Sequence, residues 1–104
     1  MGRNYIVVGL GSMGKRRIRN LQYLGIKDII GFDLRDDRCE EAKLKYRIKT
    51  FKIFSEAIEQ NEIIAFIISL PPGLHHIYMK KAIDMKKPAF IEASVLDTDF
   101  EQMI

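Results

Sequence analysis

Cysteine is almost missing from this chain. The one present, Cys39, excludes an internal disulfide, and a single thiol cannot build a zinc site. Long hydrophobic runs are missing as well: the longest, Ile63 to Leu70, is eight residues and contains Ser69, whereas a membrane span needs about 18. No charge of one sign dominates, since 17 Lys+Arg stand against 14 Asp+Glu, and a net charge of +3 falls short of the basic face of a nucleic-acid binder. The opening Met1-Gly-Arg-Asn-Tyr5 runs straight into a strand-like segment, with no signal-peptide pattern. These absences argue against nucleic-acid, membrane and secreted disulfide classes, and make a cytoplasmic location the expectation. What remains, 47% hydrophobic and 30% charged residues over 1–104, reads as one ordinary globular domain.

Short apolar runs alternate with amphipathic ones. Tyr5–Leu10 is a β-branched run too short for a helix and ended by glycines. From Met13 to Leu24 the period changes: Gly14, Ile18 and Leu21 share a helical face, and Gly25 offers a positive-φ stop. Asp28–Asp33 reads as a second strand. Asp37 with Glu40 three residues on resembles a capping box that opens a helix to about Tyr46, with Cys39, Ala42 and Tyr46 on its packed face. A weakly marked strand near Thr50–Ile53 and helix near Ser55–Gln60 follow. Ile63–Ile68 is apolar on both sides of the pleat, as a strand covered on both faces would be. Beyond Pro71-Pro72, the residues Leu74, Ile77, Tyr78, Ala82 and Met85 trace a helical stripe to Lys86, Ala89–Glu92 is a fifth strand, and Thr98 with Glu101 suggests a further helix begun. This alternation predicts an α/β fold: a doubly wound parallel sheet in the order 3-2-1-4-5, with helices on both faces in three αβα layers.

Gly9-Leu-Gly11-Ser-Met-Gly14 is a G-x-G-x-x-G set between a predicted strand and helix, the context in which that spacing has meaning. Gly9 permits the tight turn, Gly11 lets a pyrophosphate approach the backbone, and Gly14 lets helix and strand pack closely. The N–H groups of the first helical turn, from Ser12 through Met13 and Gly14, then face the phosphates. Asp33 ends the second strand 19 residues after Gly14, where a carboxylate accepts hydrogen bonds from the adenosine ribose. Its charge repels a 2′-phosphate, so NAD is expected over NADP. Arg35 and Arg38 keep NADP open, because a guanidinium nearby can hold that phosphate. Lys15, Arg16, Arg17 and Arg19 oppose the dipole of the helix they begin, and most are expected to be solvated.

Ser69-Leu70-Pro71-Pro72-Gly-Leu-His75-His76 follows the fourth strand, where the two prolines end the pairing at the carboxyl edge. From the residues alone, both histidines are ordinary helix N-terminal residues. Together with Gly9–Gly14, Asp33 and Glu92, however, the segment resembles the Gfo/Idh/MocA oxidoreductases. Their cofactor domains carry a G-x-G-x-x-G, an acidic residue after the second strand, Pro-Pro/Asn-x-x-His after the fourth, and Glu-Lys-Pro after the fifth. The resemblance implies a Rossmann domain, with Ser69, Leu70, Pro71, Pro72 and Glu92 along the nicotinamide end of the cofactor and His75 as the motif histidine.

One departure stands out: Glu-Lys-Pro reads Glu92-Ala93-Ser94 here. The lysine that the family implies for handling the substrate hydroxyl is replaced by a methyl group. Lys86 and Lys87 precede the fifth strand, at the opposite edge of the sheet. The expectation is an NAD(P)-binding domain of an oxidoreductase acting on a sugar, nucleotide sugar or polyol hydroxyl. It would be a fragment: the small-molecule substrate would engage only the full-length protein, whose substrate domain lies beyond Ile104, and the chain alone would be inactive. A homo-oligomer is compatible with this reading. Two alternatives stay open. One is a dinucleotide-sensing regulatory module, like those that gate potassium transport, which would not be expected to carry Pro71-Pro72-x-x-His75. The other is a non-catalytic member of the oxidoreductase family, kept open by Ala93.

Overall fold

The computed structural model describes residues 3–91. Five strands are present: β1 (Arg3–Val8), β2 (Ile29–Phe32), β3 (Lys49–Phe51), β4 (Glu62–Ile68) and β5 (Ala89–Ile91). Between them lie α1 (Ser12–Tyr23), α2 (Asp36–Tyr46), α3 (Phe54–Gln60) and α4 (His75–Asp84), the last preceded by a 3₁₀ turn at Pro72–Leu74. The sheet runs β3-β2-β1-β4-β5, and every pairing is parallel. This is the order the sequence predicts. Parallel neighbours need crossover connections, and the helices supply them.

Two apolar layers hold the helices to the sheet. On one face, Val7, Ile29 and Ile67 meet Ile18 of α1 and Cys39, Ala42 and Tyr46 of α2. On the other, Ile6, Ile30, Phe66 and Ile68 meet Ala57 of α3 and Ala82 of α4. The central strands are therefore apolar on both sides of the pleat, and β4 is buried over most of its length as expected. Phe32, Phe54, Phe66 and Tyr78 form a tilted and edge-on aromatic cluster within the second layer.

Gly25, at φ 87°, ends α1 in the left-handed region as anticipated, whereas α2 ends on a left-handed Arg47. The start of α2 differs from expectation. The helix begins at Asp36, its N-cap is Arg35, and no side chain caps it. Asp37 makes no capping box because its carboxylate is engaged by the Arg35 guanidinium, 2.7 Å away. On the expected helical stripe of α4, Leu74 and Ile77 are not part of the buried core. They sit in the first turns past the prolines, beyond the end of β4, and remain about two-fifths exposed while Ala82 is fully buried. Among the described residues no helix is long and apolar enough to cross a membrane, and no cluster of His, Cys, Asp and Glu could hold a metal. Glu92, Ala93, Ser94 and the helix start expected at Thr98 lie outside the described residues.

Candidate functional site

The carboxyl ends of β1, β2 and β4 meet where the first βα turn crosses the sheet edge. Gly9 takes φ 99°, and its N–H donates to the Phe32 carbonyl at 2.8 Å. A Cβ there would lie 2.6 Å from the Ser69 carbonyl oxygen. Gly14, one turn into α1, has no room either, because a Cβ would collide with the Gly9 carbonyl. These two glycines are demanded by the backbone itself.

Gly11 is different. Its φ of −75° suits any residue, and the atoms nearest to an added Cβ belong to the Arg38 guanidinium, 3.4 Å away at the end of a flexible side chain. Neither conformation nor packing requires glycine there, which leaves close approach of a ligand as the reason for it. Next to it, the first main-chain bond of α1 runs from Lys15 N to the Gly11 carbonyl, so the N–H groups of Ser12–Gly14 point out of the helix end. The first turn holds no acidic side chain. Loop and helix end together fit a pyrophosphate.

Asp33 is buried just beyond β2. Its Oδ2 accepts from the Leu10 N–H and its Oδ1 from the Arg35 N–H, both at 2.8 Å. The glycine loop thus aims the carboxylate, and a carboxylate with about four acceptor sites retains capacity for a ribose. Arg38 Nη1 stands 3.6 Å from Oδ2. The two arginines have separate roles. The guanidinium of Arg35 is held by Asp37, whose carboxyl falls below the ordinary range through that hydrogen bond, and only the Arg35 main chain touches Asp33. The cation over the loop is Arg38.

A cavity of about 350 Å³ opens between the ends of β2 and β4. Leu34, Leu70, Pro71, Leu74 and Ile77 give it apolar walls, and Asp33, Arg38 and Tyr78 give it polar points. Burial, and then the Asp33 charge, push the Tyr78 phenol up, so it stays protonated. The sequence placed Leu74, Ile77 and Tyr78 on one helical stripe. Only the proline turn ahead of them signalled that the stripe starts past the sheet edge.

Ser69 closes the site from below. Its main-chain N–H pairs with Val8, and its hydroxyl is buried with no hydrogen-bond partner among the described residues. An orphaned buried hydroxyl beside the glycine loop is further indication that something polar belongs there. Pro71 lines the cavity, Pro72 opens the 3₁₀ turn on the outer surface, and the His75 ring is bonded to the Leu70 carbonyl. Ser12 is exposed at the start of α1, and Met13 is half-buried. Of the basic run, Lys15 reaches Glu41 at 2.6 Å and Arg19 donates to the Tyr46 hydroxyl at 2.9 Å, so both tie α1 to α2, while Arg16 is exposed.

The sequence model of the Gfo/Idh/MocA oxidoreductases, described as an oxidoreductase family with an NAD-binding Rossmann fold, matches residues 3–96. The chain belongs to this family. As a Gfo/Idh/MocA domain it binds NAD. No curated protein sequence matches it. Among solved structures it is similar to WlbA dehydrogenase from Bordetella pertussis, determined with NADH and UDP-GlcNAcA, at 18% identity and TM-score 0.79, over 89% of this chain and 29% of that one. A probable dehydrogenase from Thermotoga maritima is 27% identical with TM-score 0.76, over 86% and 27%. Myo-inositol dehydrogenase from Lactobacillus casei, determined with NAD(H) and myo-inositol, is 24% identical with TM-score 0.76, over 89% and 29%. The Gfo/Idh/MocA domain therefore spans less than a third of each of these solved chains.

Proposed function

We infer that this chain is the cofactor domain of an oxidoreductase that exchanges hydride between NAD and the hydroxyl-bearing carbon of a sugar, nucleotide sugar or polyol. The observation that carries the cofactor part is Gly11, a glycine that neither its φ nor its protein neighbours require. The substrate class is supported by solved relatives that were determined with a nucleotide sugar or with an inositol. The nicotinamide ring supplies the hydride acceptor or donor. The chain's own residues bind and orient. The N–H groups of Ser12–Gly14 hold the pyrophosphate, Asp33 accepts from the ribose hydroxyls, and Leu34, Leu70 and Pro71 enclose the adenine. Ser69 borders the nicotinamide end, the place that the family resemblance also gives to Glu92.

Cofactor choice turns on two opposed charges. The Asp33 carboxylate favours NAD, and Arg38, 3.6 Å from it, is the cation that a 2′-phosphate would find. A second reading, a family member that binds cofactor without the usual chemistry, is favoured by one observation: Ala93 stands where the family has its lysine.

Fluorescence titration with NADH tests the cofactor part. The wild type should bind, and Gly11→Val should bind at least about tenfold more weakly, since its side chain enters the space of the pyrophosphate. Its melting temperature should change little, because the nearest group to the new side chain is the flexible end of Arg38. Equal affinities would remove the glycine loop from the account.

A further inference from the structure

β4 leaves the sheet in a way that strands one carbonyl. Among the described residues, its last bond toward β1 is the Ser69 N–H on the Val8 carbonyl, and its last pair with β5 is Ile68 with Ile91. Leu70 lies one residue past both. Pro71 and Pro72 follow, neither with an N–H to offer, and the Leu74 N–H closes back on the Pro71 carbonyl at 2.9 Å. Among the described residues no main-chain donor is left for the Leu70 carbonyl in this turn. His75, the first residue of α4, supplies one, with Nε2 at 2.6 Å from the Leu70 oxygen. A carbonyl only accepts, so Nε2 carries the proton.

Resting on the cleft reading given above, we propose that His75 is a positioning residue: its Nε2–H holds the Leu70 carbonyl and so fixes one wall of the cofactor cleft without touching the dinucleotide. That wall is close to the glycine loop. Leu70 Cδ2 lies 2.8 Å from the point a Gly9 Cβ would occupy, and Leu70 and Pro71 both line the cavity that contains Asp33. The bond spans five residues and joins the end of a central strand to the first turn of the next helix. Losing it frees a turn that already lacks two main-chain donors, and the wall retreats from the adenosine. His76, exposed beside it, makes no such contact and serves as the control.

Three measurements decide the matter. A ¹⁵N-edited imidazole spectrum of the free chain should show His75 as the Nε2–H tautomer at neutral pH, and a dominant Nδ1–H form overturns the proposal. Titration with NADH and with ADP-ribose should show His75→Leu weakened about fivefold toward both, the scale of one lost neutral hydrogen bond. His75→Gln, whose amide reaches about as far as Nε2, should recover to within about twofold. His76→Leu should match the wild type. Unchanged affinity in His75→Leu, or a His75→Gln variant equally weak, overturns it. Amide exchange at Leu74 should accelerate in His75→Leu and return to the wild-type rate in His75→Gln. A wild-type chain that binds neither NADH nor ADP-ribose defeats the cleft reading itself. The role of His75 in holding the turn is then decided by the tautomer and the Leu74 exchange rate.

Discussion

Gly9, Gly11 and Gly14 share a motif but answer to different forces, and single substitutions should separate them. An alanine in a helix interior normally stabilises by about 0.5–1 kcal/mol over glycine. Gly14→Ala should do the reverse, because its Cβ has the Gly9 carbonyl in its way. A cost of about 1–3 kcal/mol, hence a fall in melting temperature of about 10 °C, is expected by calorimetry. A variant as stable as the wild type would mean that the turn can shift. At Asp33 the expected change is in selectivity. Asp33→Ser removes the charge that repels a 2′-phosphate and leaves Arg38 in place, so the ratio of NADPH to NADH affinity should rise about tenfold. Some stability goes with it, about 1–3 kcal/mol, since the Leu10 and Arg35 N–H groups lose acceptors. A wild type that already prefers NADPH would show Arg38 outweighing Asp33.

Contacts between elements decide what the charges and the thiol of α2 do. Lys15 of α1 donates to Glu41 of α2 and holds that carboxyl below the ordinary carboxylate range, first through the hydrogen bond and then through its charge. A carboxyl depressed in the native state stabilises above its unfolded pKa, and the contribution is lost as pH falls through the native value. The tie should therefore be at full strength at neutral pH and disappear only in acid. Thermal melts of the wild type and Glu41→Gln should differ near pH 7 and converge once the pH falls well below the ordinary carboxylate range; a gap that persists there would place the effect elsewhere. Cys39, on the inner face of α2, is within 3.3 Å of the Asp33 carbonyl, and burial raises its pKa. The thiol stays protonated, so a thiol reagent at pH 8 should label it far more slowly in the native chain than in denaturant. Comparable rates would show that α2 opens readily.

For the molecule as a whole, cofactor binding and turnover part company. Hydride transfer needs a donor carbon held against the nicotinamide and a group to take the hydroxyl proton. This chain spans less than a third of the solved dehydrogenases it matches, and the position of the family lysine is Ala93. With NAD and a panel of sugars, nucleotide sugars and inositols, the 104-residue chain should form no NADH above background, and Ala93→Lys should not change that. Turnover by the chain alone would overturn this expectation.

The strands and helices, the glycine turn and the acidic end of β2 were legible in the residues because each rests on forces local to a segment: side-chain period, the φ that glycine allows, and the length of a run between breakers. The strand order followed from the alternation of strands and helices through the rules for parallel connections. The predicted elements differ from those observed mainly at their ends, as with β3, expected from Thr50 and found from Lys49. What period and motif could not decide is which side chains meet across segments. Arg35 is nearer to Asp33 in the chain than Arg38, yet it is Arg38 whose guanidinium approaches the carboxylate. Asp37 engages the first guanidinium, and the phase of α2 carries the second over Gly11. Leu74 and Ile77 have the spacing of core residues, yet two prolines start their helix beyond the sheet, so they wall a cleft instead. His75 read as an ordinary first residue of a helix until the Leu70 carbonyl stood 2.6 Å from its ring. A sequence determines its segments because their geometry repeats with a fixed period. The partners of a polar side chain depend on how those segments are brought together, and that was decided only by the tertiary structure.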